Sequence, residues 1–165
     1  APDAIRGERR NTYQTAKCFE MKLLVACVGK LKRGPELELV QRYEKRLAGS
    51  GKAQGITGIR TTELPESRAG DAATRKLQEA DAIRAALGDA TPFLTFDERG
   101  KPLDSREFAK LIGDAADNGT AQLGLVIGGP DGLDVSLRQD ADRIISFGGL
   151  TMPHQIARAR VMEQA

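Results

Sequence analysis

Tryptophan is missing from this 165-residue chain, and aromatic residues of every kind reach only 4%, five Phe and two Tyr. So sparse a set argues against an exposed sheet on which nucleic-acid bases would stack. Histidine occurs once, as His154, and cysteine twice, as Cys18 and Cys27. That excludes a zinc site built from clustered Cys and His, and it excludes a disulfide framework. Cys27 lies inside an apolar run, which reads as a buried thiol. No apolar stretch approaches the roughly 18 residues of a membrane-spanning helix. Residues 1–20 also lack the apolar core of a signal peptide. The expectation is a cytoplasmic protein with no membrane and no metal.

What is present fits one globular domain. Hydrophobic residues make up 40% of the 17.8 kDa chain, enough for a real core. The net charge of +2 conceals an asymmetry. Residues 1–60 hold 13 Lys and Arg against 6 Asp and Glu, and residues 61–165 hold 12 against 17. The basic half is the candidate for a nucleic-acid-facing surface, against the plainer reading of solvated helix faces.

Residues 1–20 are polar and aperiodic and read as an N-terminal extension, disordered or non-native. The pattern changes at Met21, the expected start of a domain over 21–165. A strand is predicted over Leu23–Val28 and a helix from Gly34-Pro35 to about Ala48, stopped by Gly49-Ser50-Gly51. A weaker strand follows over Gly55–Leu64. Asp71 is placed to cap a helix ending at Leu87, with Leu77, Ala80, Ile83 and Leu87 on its apolar stripe and Gly88 beyond it. Pro92–Phe96 reads as a third strand and Asp97–Pro102 as a turn. Ser105 is the expected cap of a helix reaching about Asn118. Strands over Leu123–Ile127 and Arg143–Phe147 and a helix from Pro153 complete the pattern. Alternating strands and helices imply an α/β fold, a parallel five-stranded sheet with helices on both faces.

In such sheets ligands bind at the carboxyl ends of strands. Two of those ends carry glycine loops: Ile127 runs into Gly128-Gly129-Pro130-Asp131-Gly132, and Ile144-Ile145-Ser146-Phe147 into Gly148-Gly149-Leu150-Thr151-Met152-Pro153-His154. Each loop alone is no more than a turn. Together, in this order and spacing, "IGGPDGL" and "SFGGLTMPHQIAR" resemble the SPOUT-class methyltransferases that methylate N3 of a pseudouridine in bacterial large-subunit ribosomal RNA.

The resemblance covers Met21–Ala165 and implies a C-terminal trefoil knot entered from about Leu123, a homodimer packed around the last helix, ribosomal RNA as substrate and S-adenosylmethionine as cofactor. Carried over position by position, it assigns cofactor binding to Phe96 (where the family usually has Leu), Gly128, Phe147, Gly148, Gly149, Leu150, Thr151 and Met152. Small and apolar residues of the last helix, Ile156, Ala157, Ala159, Val161 and Met162, are expected to support the dimer. His154 and Arg158, one turn apart, are the catalytic candidates. For His154 a supporting role beside the cofactor loop is the preferred reading. Arg158 is open to RNA phosphate, the cofactor's carboxylate, a partner subunit or solvent. The family also continues past Met162–Ala165 into a basic segment containing Tyr and His. Without that segment the expectation is a chain that binds cofactor but methylates poorly.

Two readings of other classes stand beside this one. A nicotinamide-binding Rossmann enzyme needs G-x-G-x-x-G after its first strand, and Val28-Gly29-Lys30-Leu31-Lys32-Arg33-Gly34 lacks the middle glycine. A ribosome-binding protein of the same fold without turnover is separated from an enzyme by calorimetry with S-adenosylmethionine.

Overall fold

The strand β1 (Met21–Val28) explains how the sheet is covered on both sides. Met21, Leu23, Val25 and Cys27 point into one hydrophobic cluster, and Leu24, Ala26 and Val28 into another. That is the two-residue period of a strand buried on both faces. The coordinates are a computed structural model that describes residues 20–165. The extension expected over residues 1–20, Glu20 apart, and Cys18 lie outside the described residues.

Five strands, β1, β2 (Ile56–Leu64), β3 (Phe93–Pro102), β4 (Gln122–Ile127) and β5 (Arg143–Ser146), form a single parallel sheet in the order β2-β1-β4-β3-β5. One face is covered by α1 (Pro35–Ser50), α3 (Ser105–Asp117) and α5 (His154–Gln164). The other is covered by α2 (Ala72–Leu87) and the short α4 (Val135–Asp140). Gly124 lets α2 sit close: a Cβ there would stand 2.7 Å from the Phe93 Cβ and 2.9 Å from Leu87 Cδ2.

Local boundaries depart from the sequence reading in instructive ways. Gly49-Ser50-Gly51 does end α1, which stops at Ser50 with Gly51 as its C-cap, but the chain goes on as a 3-10 turn over Gly51–Gln54 that Gly55, at φ +82, closes. The cap of α3 is Asp104 rather than Ser105. Its carboxylate accepts from Glu107 N–H while the Glu107 side chain accepts from Asp104 N–H, a reciprocal capping box. Asp71 does cap α2, accepting from Thr74 N–H at 2.8 Å. Leu77, expected on the stripe of α2, is half exposed, because the first turns of that helix turn Glu79 inward instead.

The expected turn over Asp97–Pro102 is strand. Ile145 pairs with Phe96 and, after a register shift, with Lys101, so the chain leaves the ladder beyond Phe96 and pairs with β5 again, still parallel, at Lys101 and Pro102. Gly100 permits this approach. A Cβ there would come within 2.6 Å of the Ile144 carbonyl carbon. The helix α4 was not expected; Asp134 caps it by accepting from Ser136 N–H.

Candidate functional site

The carboxyl ends of β4, β3 and β5 lie side by side and open into a cleft of about 260 Å³. Its floor is aromatic. Phe96, at the end of the regular part of β3, stacks on Phe147 just beyond β5, with ring centroids 5.2 Å apart and planes inclined by 8°. Phe108 of α3 meets the other side of Phe96 edge-on at 6.0 Å. Phe96 is therefore both core and cleft floor, and Phe147 is its half-buried outer layer.

The walls are backbone. One is the Gly128–Gly132 turn, closed by the Gly132 N–H donating to Gly129 O at 3.0 Å. The other is the segment after β5, where Gly148 takes φ +114, a conformation side chains disfavour. The Ser146 hydroxyl pins that bend, accepting from Gly148 N–H at 3.1 Å and reaching Gly148 O at 3.0 Å. Leu150, Thr151, Met152 and His154 continue the wall.

Charges border the apolar floor. Arg75 of α2 grips Asp131 with two hydrogen bonds, Nε to Oδ2 at 2.7 Å and Nη2 to Oδ1 at 3.1 Å. This holds the Asp131 carboxyl below its ordinary pKa and fastens the turn to α2. Asp97 and Arg138 form a largely buried pair at 3.4 Å inside the cleft. Lys76 and Arg99 complete the polar rim. None of these side chains is singled out by the sequence. Asp97 is visible there as a strand end, but Arg138 and Lys76 arrive from helices whose facing no pattern announces.

Beneath the turn sits Glu79, 5% exposed. Its Oε1 accepts from Ser67 N–H at 2.9 Å, and its Oε2 is buried without a partner. Burial raises its pKa, with the charges of Asp131 and Glu66 acting in the same direction and the Ser67 bond and Arg75 opposing.

The sequence candidates divide unevenly over this geometry. Phe96, Gly128, Phe147, Gly148, Leu150, Thr151, Met152 and His154 line the cleft, whereas Gly149 is exposed and outside its wall. Gly128 is small for the core's sake: a Cβ there would meet Leu133 Cγ and Cδ2 at 2.9 Å. Arg158 is neither solvated nor in the cleft. It is 4% exposed and donates from Nη2 to Glu63 Oε1 at 2.7 Å. Its charge opposes the burial that pushes the nearby Cys27 thiol up to about 11. Ala157, Ala159, Val161 and Met162 are spent in the chain's own core, leaving only Ile156 of the expected dimer set exposed.

Comparison with known proteins shows the family to which the chain belongs. The family model described as "Predicted SPOUT methyltransferase" matches residues 21–165. The chain belongs to the SPOUT methyltransferase family. A protein of Allorhizobium ampelinum named "Ribosomal RNA large subunit methyltransferase H" is 46% identical over 144 residues, 87% of this chain and 90% of its own length. A Bradyrhizobium protein of the same name is 46% identical over 146 residues, 88% and 90% of the two chains. A crystal structure of a methylase family protein from Neisseria gonorrhoeae shares the fold, with a TM-score of 0.51 at 14% identity over 89% of this chain and 81% of that one. SPOUT methyltransferases use S-adenosylmethionine. The cleft suits it: an aromatic floor for an adenine, unobstructed peptide groups for its edge, and the cations of Lys76 and Arg99 for a carboxylate. Among the described residues no helix is long and apolar enough to cross a membrane, and no cluster of His, Cys, Asp and Glu could hold a metal.

Proposed function

We propose that this SPOUT methyltransferase methylates N3 of a pseudouridine in large-subunit ribosomal RNA. The observation that carries the reading is the cleft where β3, β4 and β5 end, built from the two loops whose wording resembles that family. The name shared by relatives 46% identical over nearly their whole length supports the ribosomal substrate.

When bound, S-adenosylmethionine supplies a methyl group already activated on a sulfonium. The chain's own task is placement. Phe96 and Phe147 would hold one end of the ligand on the cleft floor, and the Gly128–Gly132 turn, fastened by Arg75 and Asp131, would form the wall beside it. An imide nitrogen aligned with the methyl carbon and sulfur reacts as an intramolecular group would, and such alignment is worth effective molarities of about 10⁵–10⁸ M. His154 Nε2 stands at the rim, facing Gly29, where a hydrogen bond to the target base or its departing proton can be received.

Three finer features belong to the same proposal. The second pairing of β3 with β5, Lys101 with Ile145 and Pro102 with Ser146 after Phe96 with Ile145, supports threading of the last segment as a trefoil knot. Leu150, 88% exposed, and Ile156, 42% exposed, support a homodimer that covers them. Work on ribosomes places the protein in the cytoplasm.

The test is transfer of labelled methyl from S-adenosylmethionine to ribosomes that carry pseudouridine or uridine at the target. Label at N3 of the pseudouridine is expected. Cofactor binding with no transfer to either ribosome would leave only a binding protein.

A further inference from the structure

The loop that leaves β1, Gly29 to Gly34, contributes nothing to the cleft wall, yet it lies against the cleft's last helix at one point and is tied to it through a carboxylate at another. At its start Gly29, at φ +94, faces α5. The position a Cβ would take there lies 3.5 Å from His154 Nε2 and 3.2 Å from Glu66 Oε1. In its middle the Leu31 N–H donates to Glu63 Oε1 at 3.1 Å, and the same oxygen accepts from Arg158 Nη2 at 2.7 Å. His154 and Arg158 are one turn apart on α5. Loop, β2 and helix thus form a closed circuit around one carboxylate.

Such a bridge is a poor source of stability. Arg158 is almost wholly buried and its Nε has no partner, so desolvation offsets much of the attraction. Registry is the best-attested use of a buried ion pair. What it registers here is a run of cations. Lys30, Lys32 and Arg33 are exposed on the loop, and none forms an ion pair with a described residue, although Glu36 and Glu38 stand in the first turn of α1.

We propose that Lys30, Lys32 and Arg33 bind the RNA phosphate backbone beside the target nucleotide, and that the Glu63–Arg158 bridge is a positioning device that holds this loop in register with the cleft. The assignment rests on the RNA-methylation reading above. Phosphate contacts carry no sequence information and serve to fix register, which is what a methyl transfer governed by alignment requires.

The experiment measures binding of large ribosomal subunits without cofactor, as a function of salt, and cofactor affinity separately. Each cation withdrawn from a phosphate lowers the slope of log affinity against log salt by about 0.7–0.9. The variant K30Q/K32Q/R33Q is expected to lower the slope by about 2–3 while cofactor affinity stays as in the wild type. An unchanged slope overturns the surface. The second variant, Glu63→Gln, keeps every loop cation. It is expected to weaken subunit binding several-fold, to speed hydrogen exchange at the Leu31 amide, and to raise KM for subunits more than it lowers kcat. Wild-type subunit binding in a Glu63→Gln protein whose Leu31 amide exchanges fast overturns the positioning role. Failure of methyl transfer by the wild type would sink the functional reading alone, because subunit binding is read without turnover.

Discussion

Phe96 and Phe147 stack face to face although 51 positions separate them, one closing the regular part of β3 and the other leaving β5. The pair joins two of the three strand ends that make the cleft. An aromatic pair adds about 0.5–1.5 kcal/mol beyond its buried area, and Phe147 is the more exposed member. Phe147→Ala is expected to weaken S-adenosylmethionine binding about tenfold by calorimetry while the protein stays folded. Unchanged affinity would mean that the ligand does not rest on this floor.

The glycines of the two loops should separate by what each one touches. Gly128→Val is expected to cost about 1–3 kcal/mol, because its side chain would overpack Leu133. Gly148→Val carries strain of similar size from its backbone angle. Gly149→Val meets nothing within 4 Å. It should leave stability within about 0.5 kcal/mol of the wild type and alter cofactor affinity least. Thermal melts with and without S-adenosylmethionine check all three. A large affinity loss at Gly149 would move the cleft wall outward.

Gly100 answers for the close passage that brings Lys101 and Pro102 into pairing with β5. A side chain there would press on the Ile144 and Ile145 backbone, which has no rotamer with which to yield. Gly100→Val is expected to destabilise by about 3 kcal/mol, or about 6–12 °C in Tm. A melt within a degree of the wild type would show that this crossing is looser than its distances.

Glu79 makes stability depend on pH. Its folded-state pKa is raised, chiefly by burial, so folding favours the protonated acid. That contribution is complete below the ordinary carboxylate range and is lost as pH rises through the folded-state value. Glu79→Gln is therefore expected to gain on the wild type as pH rises from about 4 to about 7.5, read as the difference between their melting temperatures. A difference that is constant or shrinks with rising pH would show that the carboxylate finds a partner for Oε2.

The layers and the glycine loops at two strand ends were legible in the chain itself. Buried parallel strands such as Leu123–Ile127 are apolar on both faces, and their ends need glycines, so local composition records both facts. Even the special wording of Gly128–Gly132 and Phe147–His154 is local, and it carried the family resemblance. The strand at Asp97–Pro102 was not legible. Gly100 and Pro102 are turn formers by local preference, and only β5, more than forty residues on, supplies the partner that makes them strand. The fate of the last helix was equally hidden. Ala157, Ala159, Val161 and Met162 suit a subunit interface as well as a core, and packing beside α1 committed them to the core. Arg158 is the clearest case. An arginine reads as a surface cation until Glu63, 95 positions earlier, meets it at 2.7 Å. Such a partner is set by the path of the chain through space, which no spacing along it records.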